Sequence, residues 1–156
     1  MAERRVILMV LTKKAKRKYS WKERKLTTDY LWEFYRGFPP WRNIRLGVAK
    51  DAETANLYKV SMRRADAIIF TGDELILIEA KMGNDLRGLT QLEEYAKLIP
   101  KTPEFDMYKY YPIRQVFLTS REYKDMRRLC EEKGYIYVVY QPPWVKEYWR
   151  ERGFSI

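Results

Sequence analysis

Apolar and polar residues alternate with two different periods along this chain, which predicts helices and strands in turn. Apolar spacing and capping residues predict helices at residues 28–36, 84–99, 120–134 and 144–152. Short apolar runs predict strands at residues 44–49, 58–61, 113–119 and 135–140. Strands that alternate with helices indicate an α/β fold, with a mixed central sheet flanked by helices.

The strongest local pattern is a β-hairpin. Two apolar runs, residues 65–71 and 74–81, flank Gly72-Asp73, a pair suited to a two-residue turn. The register set by that turn places Asp66 opposite Glu79, and strand alternation puts both on one face with Lys81. Because both faces of the hairpin are apolar in the middle, we expect it to be covered on both sides.

Opposed carboxylates at the open end of this hairpin are the candidate chemistry. Asp66 and Glu79 would repel each other across roughly 5 Å, and a bound divalent cation would offset that repulsion. The Ala80 backbone carbonyl offers a third oxygen, and Mg²⁺ or Mn²⁺ suits such hard ligands. Lys81 would then point at whatever the cation holds, an arrangement suited to phosphodiester hydrolysis. The alternative is a pair of solvated strand ends, with Arg64 and Lys81 as ordinary counter-charges.

Composition removes several other classes of chemistry. The chain has no histidine and one cysteine, Cys130, which excludes His-dependent nucleophile systems, multi-Cys zinc sites and an intrachain disulfide. We expect Cys130 to be a buried, inert thiol. The apolar run at residues 6–11 is too short to cross a bilayer and lacks a secretory cleavage pattern. A single domain over residues 1–156 and a cytoplasmic location are therefore the expectations.

Positive charge is concentrated near the start of the chain. The net charge is +10, and residues 13–25 contain eight basic residues against one acid. These candidates for phosphate contacts are Lys13, Lys14, Lys16, Arg17, Lys18, Lys22, Arg24 and Lys25, with Arg64 and Arg87 as further candidates. The balance predicts binding to DNA, with RNA as an alternative. A solvated basic segment without a partner is the competing interpretation.

Three short motifs resemble one known family. Arg64-Ala65-Asp66, then Glu79-Ala80-Lys81, then Gln91 on the following predicted helix resemble the PD-(D/E)xK nuclease superfamily of restriction-endonuclease-like folds. Ala65 stands where many members have proline. The resemblance implies that Asp66 and Glu79 bind metal, that Lys81 assists catalysis and that Gln91 supports the site.

The resemblance also implies an acidic residue on the preceding helix. Glu33 is the first choice as a catalytic and metal-binding residue, with Glu23 and Asp29 as alternatives. The resulting hypothesis is a Mg²⁺- or Mn²⁺-dependent nuclease that hydrolyses DNA. A non-catalytic nucleic-acid-binding protein on the same fold, a flap or junction nuclease and an RNA-directed nuclease remain alternatives. An enzyme that cuts both strands needs two sites, so a homodimer is also expected.

Overall fold

The computed structural model describes residues 21–47 and 64–156, and a five-stranded sheet runs through their centre. The strands are β1 (Trp41–Arg45), β2 (Arg64–Phe70), β3 (Leu75–Lys81), β4 (Ile113–Thr119) and β5 (Ile136–Val139). They lie side by side in chain order. The first three pair antiparallel, whereas β4 is parallel to β3 and β5 is parallel to β4. The predicted mixed sheet is confirmed.

Helices cover both faces of this sheet. They are α1 (residues 21–34), α2 (Arg87–Leu98), α3 (Lys124–Lys133) and α4 (Pro143–Glu151). Two 3₁₀ segments, Ile99–Lys101 and Pro103–Tyr108, follow α2. The sequence pattern predicted neither of them.

Two apolar layers hold the helices on the sheet. One layer joins α1 and α4 to the sheet and includes Leu26, Tyr30, Ile69, Ile76, Ile78, Val145 and Trp149. The other joins α2 and α3 to the opposite face and includes Ile68, Leu77, Leu89, Leu92, Phe117, Met126 and Cys130. The hairpin contributes to both layers, which explains why both of its faces are apolar.

The hairpin has the predicted turn and register. Ala67 pairs with Ile78, and the backbone N–H of Thr71 donates to the Glu74 carbonyl at 3.1 Å. Gly72 has a φ of 101°, a conformation that strongly favours glycine. The expectation that Asp66 lies opposite Glu79 rests on this register.

The predicted start of α1 at Thr28 or Asp29 is wrong, because residues 21–27 are already helical. The hydroxyls of Thr27 and Thr28 donate to the carbonyls of Glu23 and Arg24, at 3.0 and 2.8 Å. Each threonine therefore bonds back to the preceding turn of the same helix instead of capping a new one.

Two other boundaries also differ from the prediction. The strand expected at residues 44–49 is found at Trp41–Arg45, where the Trp41 ring packs 4.9 Å from that of Phe105. Ser120 does not cap α3, because it is buried and its hydroxyl donates to the Met82 carbonyl at 2.7 Å. The strand predicted at residues 58–61 lies outside the described residues.

The predicted cap of α2 at Asn84 or Asp85 is wrong, because the helix begins at Arg87 and its cap position is Leu86, without a side-chain hydrogen bond. Asp85 instead accepts a hydrogen bond from the Arg87 backbone N–H at 3.0 Å, two residues along the chain. Gly134 ends α3 with a φ of 75°. Cys130 is buried as predicted, and burial raises the pKa of its thiol to about 11, which keeps the thiol protonated and unreactive at neutral pH.

Candidate functional site

The candidate site lies where β2 and β3 stop pairing through their backbones. Regular pairing extends from the turn to Ala67 and Ile78. Beyond it, Glu79 Oε1 accepts the Asp66 backbone N–H at 3.1 Å, and Asp66 Oδ2 accepts the Ala80 backbone N–H at 2.8 Å. The two carboxylates thus connect the strand ends by side-chain bonds. The structure brings Asp66, Glu79 and Ala80 together as predicted.

Burial makes two negative charges at this position unfavourable. Glu79 is only 2% exposed, and its burial, with the nearby charge of Asp66, raises its pKa well above the usual range. Burial also raises the pKa of Asp66. Both carboxyls would become more acidic beside a cation. The strand ends therefore form an acidic pair, with Glu79 buried and Asp66 partly buried, that a positive charge would stabilise.

A local distortion accompanies Asp66. Asn43, which lies beside Asp66 across β1 and β2, has a φ of 49°, and Ala65 joins the same apolar layer as Ile68, against strict strand alternation. The Arg42 guanidinium donates to the Asp66 backbone carbonyl at 3.3 Å. A cavity of about 190 Å³ opens here, lined by Arg24, Thr27, Arg42, Asn43 and Asp66. One of the two acidic residues therefore borders accessible space.

Lys81 and α2 meet at the end of β3. A Cβ atom on Gly88 would lie 3.2 Å from Lys81 Cγ and 2.5 Å from the Phe117 ring, so only glycine allows α2 to approach this closely. Gln91 follows Gly88 by about one turn, on the same side of the helix. Its Oε1 atom is buried and has no hydrogen-bond partner among the described residues. Gln91 therefore lies on the side of α2 that packs against the end of β3, with an acceptor oxygen to spare.

Thr119 adds a second unused polar atom at the same end of the sheet. It pairs with Lys81 across β3 and β4, and its hydroxyl oxygen is buried without a hydrogen-bond partner in the described chain. The sequence pattern marked Thr119 only as the end of a strand. The parallel register of β3 and β4 places Thr119 beside Lys81, and no local sequence motif specifies that register.

The acidic residue that α1 brings to the site is Glu23, not Glu33. The Met82 backbone N–H donates to Glu23 Oε1 at 3.5 Å, and the charges of Lys81 and Asp66 both act on the Glu23 carboxyl. Burial raises the pKa of Glu23 to about 7. Glu23 was predicted as an alternative, so the ranking of the candidates needs correction.

Glu33 and Asp29 have other partners. Glu33 lies about 15 Å farther along α1 than Glu23 and on another side of the helix, where it accepts a hydrogen bond from the Tyr140 hydroxyl. Asp29 accepts hydrogen bonds from Trp144 Nε1 at 2.7 Å and from Lys25 at 3.3 Å. Asp29 therefore joins α1 to the first turn of α4, and Glu33 joins α1 to the segment that leads into α4.

The predicted basic residues are placed differently from one another. Arg24 lines the cavity beside Asp66, whereas Lys22 lies 4.4 Å from the Tyr148 ring centroid and Lys25 pairs with Asp29. Arg64 is exposed at the start of β2, and Arg87 forms an ion pair with Asp85 at 2.8 Å. Lys13, Lys14, Lys16, Arg17 and Lys18 lie outside the described residues. Sequence patterns missed Arg42, which reaches the site only through the β1–β2 pairing.

The donor set can be compared with the needs of a divalent cation. Within residues 21–47 and 64–156, no three Asp, Glu, His or Cys side chains are grouped to hold a metal ion. The Asp66 and Glu79 carboxylates and a backbone carbonyl are nevertheless hard oxygen donors of the kind that Mg²⁺ and Mn²⁺ prefer. Mg²⁺ usually keeps several waters and binds through one or two carboxylates, so Asp66 and Glu79 fit that requirement.

Comparison with known proteins identifies the fold. No family model and no curated protein sequence matches the chain. Two solved structures do match, each with 17% sequence identity, a TM-score of 0.50 and 76% of this chain covered. They are the crystal structure of a repair endonuclease from Pyrococcus abyssi and an EndoMS complex with double-stranded DNA. The chain has a restriction-endonuclease-like fold.

The match covers only part of both solved proteins. This chain spans 47% of the Pyrococcus abyssi endonuclease and 44% of the EndoMS chain, less than half of each. The restriction-endonuclease-like fold of the present chain agrees with the mixed sheet and the flanking helices predicted from its sequence. Among the helices of the described ranges, none is long and apolar enough to cross a membrane.

Proposed function

We propose that this chain is a nuclease of the PD-(D/E)xK type, which hydrolyses phosphodiester bonds in DNA with the help of a divalent cation. The observation that carries the proposal is the Asp66–Glu79 pair, which joins the ends of β2 and β3 beside Lys81. Two solved proteins of the same fold support it, since one is a repair endonuclease and the other is bound to double-stranded DNA.

The residues divide into binding and chemical roles. Asp66, Glu79 and the Ala80 carbonyl would hold Mg²⁺ or Mn²⁺, which when bound polarises the phosphate and lowers the pKa of a coordinated water. The Lys81 ammonium stabilises negative charge that develops on the phosphate or orients the attacking water. Gln91, with its unused acceptor oxygen, positions that water or the lysine.

Glu23 supplies a carboxyl group that titrates near neutral pH. A carboxyl whose pKa is about 7 can exchange a proton with water at physiological pH. Arg24 and Arg42, which line the cavity beside Asp66, offer positive charge for the phosphate backbone. Carboxylates for a cation, a lysine for the developing charge and arginines for the phosphate backbone are the groups that phosphodiester hydrolysis uses.

Cleavage of a labelled nucleic-acid panel tests the proposal. The panel contains single-stranded, duplex, flap and junction DNA together with RNA, each with Mg²⁺, Mn²⁺ or EDTA. We expect metal-dependent cleavage by the wild type and none by Lys81→Ala. Lys97→Ala is the matched control, because Lys97 pairs with Glu93 on the exposed side of α2. Equal cleavage by the wild type and Lys81→Ala would contradict the proposal.

A non-catalytic nucleic-acid-binding protein is the second candidate. The observation in its favour is that no group of three metal-ligating side chains occurs among the described residues. Titration with Mn²⁺ separates the two functions: a nuclease binds Mn²⁺ and loses that binding in Asp66→Asn. A pure binder shows salt-dependent DNA affinity that is indifferent to metal. Sedimentation with and without DNA would test the homodimer that double-strand cleavage favours.

A further inference from the structure

A second, larger cavity lies between the end of α1 and the start of β1. Its volume is about 600 Å³, and its wall includes Trp32, Tyr35, Arg36, Phe38, Pro40 and Arg42. Trp32 is 64% exposed and Phe38 is 39% exposed. Large aromatic side chains usually lie inside or against other residues. Two exposed aromatics in one concave wall therefore indicate a surface with a partner.

Positive charge accompanies these aromatic rings. The Arg36 guanidinium lies 4.4 Å from the centroid of the Trp32 ring, and its Nε donates to the Trp32 carbonyl at 3.4 Å. Arg42 forms another part of the wall. Aromatic faces next to arginines bind nucleic acid well, since rings stack on bases and guanidinium groups contact phosphates.

Arg42 connects this cavity to the candidate site. It lines both cavities, the larger one with Trp32 and the smaller one with Asp66. Its guanidinium donates to the Thr28 hydroxyl at 3.0 Å and to the Asp66 backbone carbonyl at 3.3 Å. A nucleotide in the larger cavity would therefore have a phosphate near Arg42, and the adjoining chain would lead to Asp66.

We propose that this cavity binds one unpaired base of the nucleic-acid substrate, stacked on Trp32, beside the phosphate that is cut. The inference rests on the proposed nuclease function and specifies its substrate class, which is nucleic acid with an unpaired nucleotide next to the scissile phosphate. A base inside a duplex cannot enter such a cavity without leaving the stack. Duplex without an unpaired nucleotide would use the phosphate contacts alone.

Binding measured in EDTA tests this inference separately from cleavage. Fluorescence anisotropy compares a single-stranded oligonucleotide, a perfect duplex and a duplex with one unpaired nucleotide. We expect Trp32→Ala to weaken affinity for the two substrates with unpaired bases by roughly tenfold, while perfect-duplex affinity changes little. Trp32→Phe, which keeps an aromatic face, should retain most of the affinity.

Tyr110→Ala is the matched control, because Tyr110 is also exposed and lies under a cation, Lys109, but does not line the cavity. It should leave all three affinities unchanged. Equal losses in both variants, or no loss in Trp32→Ala, would overturn the inference. A change in self-association in Trp32→Ala with unchanged affinity would also overturn it, because a second copy of the chain would then occupy the cavity.

Failure of the nuclease function gives a different result. If the wild type cuts no substrate but Trp32→Ala still loses affinity for unpaired bases, the binding site stands and the catalytic proposal fails. If the wild type cuts DNA and Trp32→Ala binds every substrate normally, the reverse holds. A 2-aminopurine at the unpaired position adds a direct readout, since stacking on Trp32 should quench its fluorescence in the wild type only.

Discussion

The two ends of the β2–β3 hairpin are built in opposite ways. At the turn, backbone bonds join the strands, and Glu74 forms an exposed ion pair with Arg114 on β4 at 3.0 Å. At the open end, the side chains of Asp66 and Glu79 make the connecting bonds, and both carboxyls are pushed toward their neutral forms by burial. One hairpin thus carries a stabilising end and an electrostatically unfavourable end.

This difference separates stability from function. Buried carboxylates that share a site cost free energy in the folded state unless a cation or a proton offsets their charge. The packing of the two apolar layers does not require carboxylates at these positions, because apolar residues of similar volume would fill the same space without that free-energy cost. The acidic residues at the open end are therefore better explained by a role in function than by a role in stability.

The largest expected effect comes from neutralising the open end. We predict that Asp66→Asn or Glu79→Gln lowers cleavage by about 10³-fold or more, because each would remove a charged ligand of the proposed cation. Glu74→Gln, at the turn end, should leave cleavage unchanged, since Glu74 only pairs with Arg114 at the surface. A rate assay with the nucleic-acid panel measures all three variants. Full activity in Glu79→Gln would remove the distinction between the ends.

Glu79→Gln should lower cleavage but should also make the folded protein more stable than the wild type at higher pH. The folded protein raises the Glu79 pKa, so wild-type stability is highest below the unfolded pKa and falls as pH rises through the folded value. Glutamine cannot ionise and can still accept the Asp66 N–H. In EDTA, urea unfolding should therefore show the variant gaining on the wild type between pH 5 and pH 8. A loss of stability at pH 8 would contradict this.

Glycine substitutions compare the same two ends by packing. Gly88→Ala places a Cβ atom 2.5 Å from the Phe117 ring and 3.2 Å from Lys81 Cγ, so we expect a loss of about 3 kcal/mol in unfolding free energy and reduced cleavage by the folded fraction. Gly72→Ala meets no atom within 4 Å, but its φ of 101° strains alanine by about 1 kcal/mol.

Urea unfolding and cleavage per folded molecule measure both glycine variants. Cleavage by folded Gly72→Ala should match the wild type, because its strain is confined to the turn. Unchanged cleavage by folded Gly88→Ala would show that the Lys81 position does not depend on the close approach of α2.

The hairpin could be predicted because its signals are local. The Gly72-Asp73 turn fixes a register, and that register alone brings Asp66 and Glu79 together. Gln91 was found through its spacing in a family motif. Asp66 and Glu79 are close in sequence, and Gln91 follows them at a spacing typical of the family motif.

The parts that could not be predicted depend on long-range packing. Thr28 and Asp29 look like helix caps, but they lie inside α1, where the Thr28 hydroxyl donates to the Arg24 carbonyl one turn earlier. Glu23 and Glu33 are both helical glutamates, and only the angle at which α1 packs on the sheet decides between them. Arg42 and Thr119 enter the site through strand pairings that no short motif specifies.

Glu23→Gln is expected to have a smaller effect, on the pH dependence of folding stability near the open end of the hairpin. Burial raises its pKa from 4.5 to about 7, so the wild type should lose stability as pH rises through this interval. We predict that Glu23→Gln removes a pH-dependent difference on the order of 2 kcal/mol, reduced from the full shift because the carboxyl is only partly enclosed. Urea unfolding in EDTA from pH 4.5 to pH 8 measures it. Glu94→Gln, an exposed change on α2, serves as the control.

The smallest expected effect decides between the two glutamates of α1. Glu33 is exposed and accepts a hydrogen bond from the Tyr140 hydroxyl, a role that an amide oxygen can also fill. We therefore predict that Glu33→Gln changes cleavage by no more than about twofold, within the range of ordinary surface substitutions. Glu23→Gln should lower cleavage more, because Glu23 lies beside Asp66 and Lys81. If Glu33→Gln abolishes cleavage and Glu23→Gln does not, α1 must present a different face to bound substrate, and the site would extend toward Tyr140.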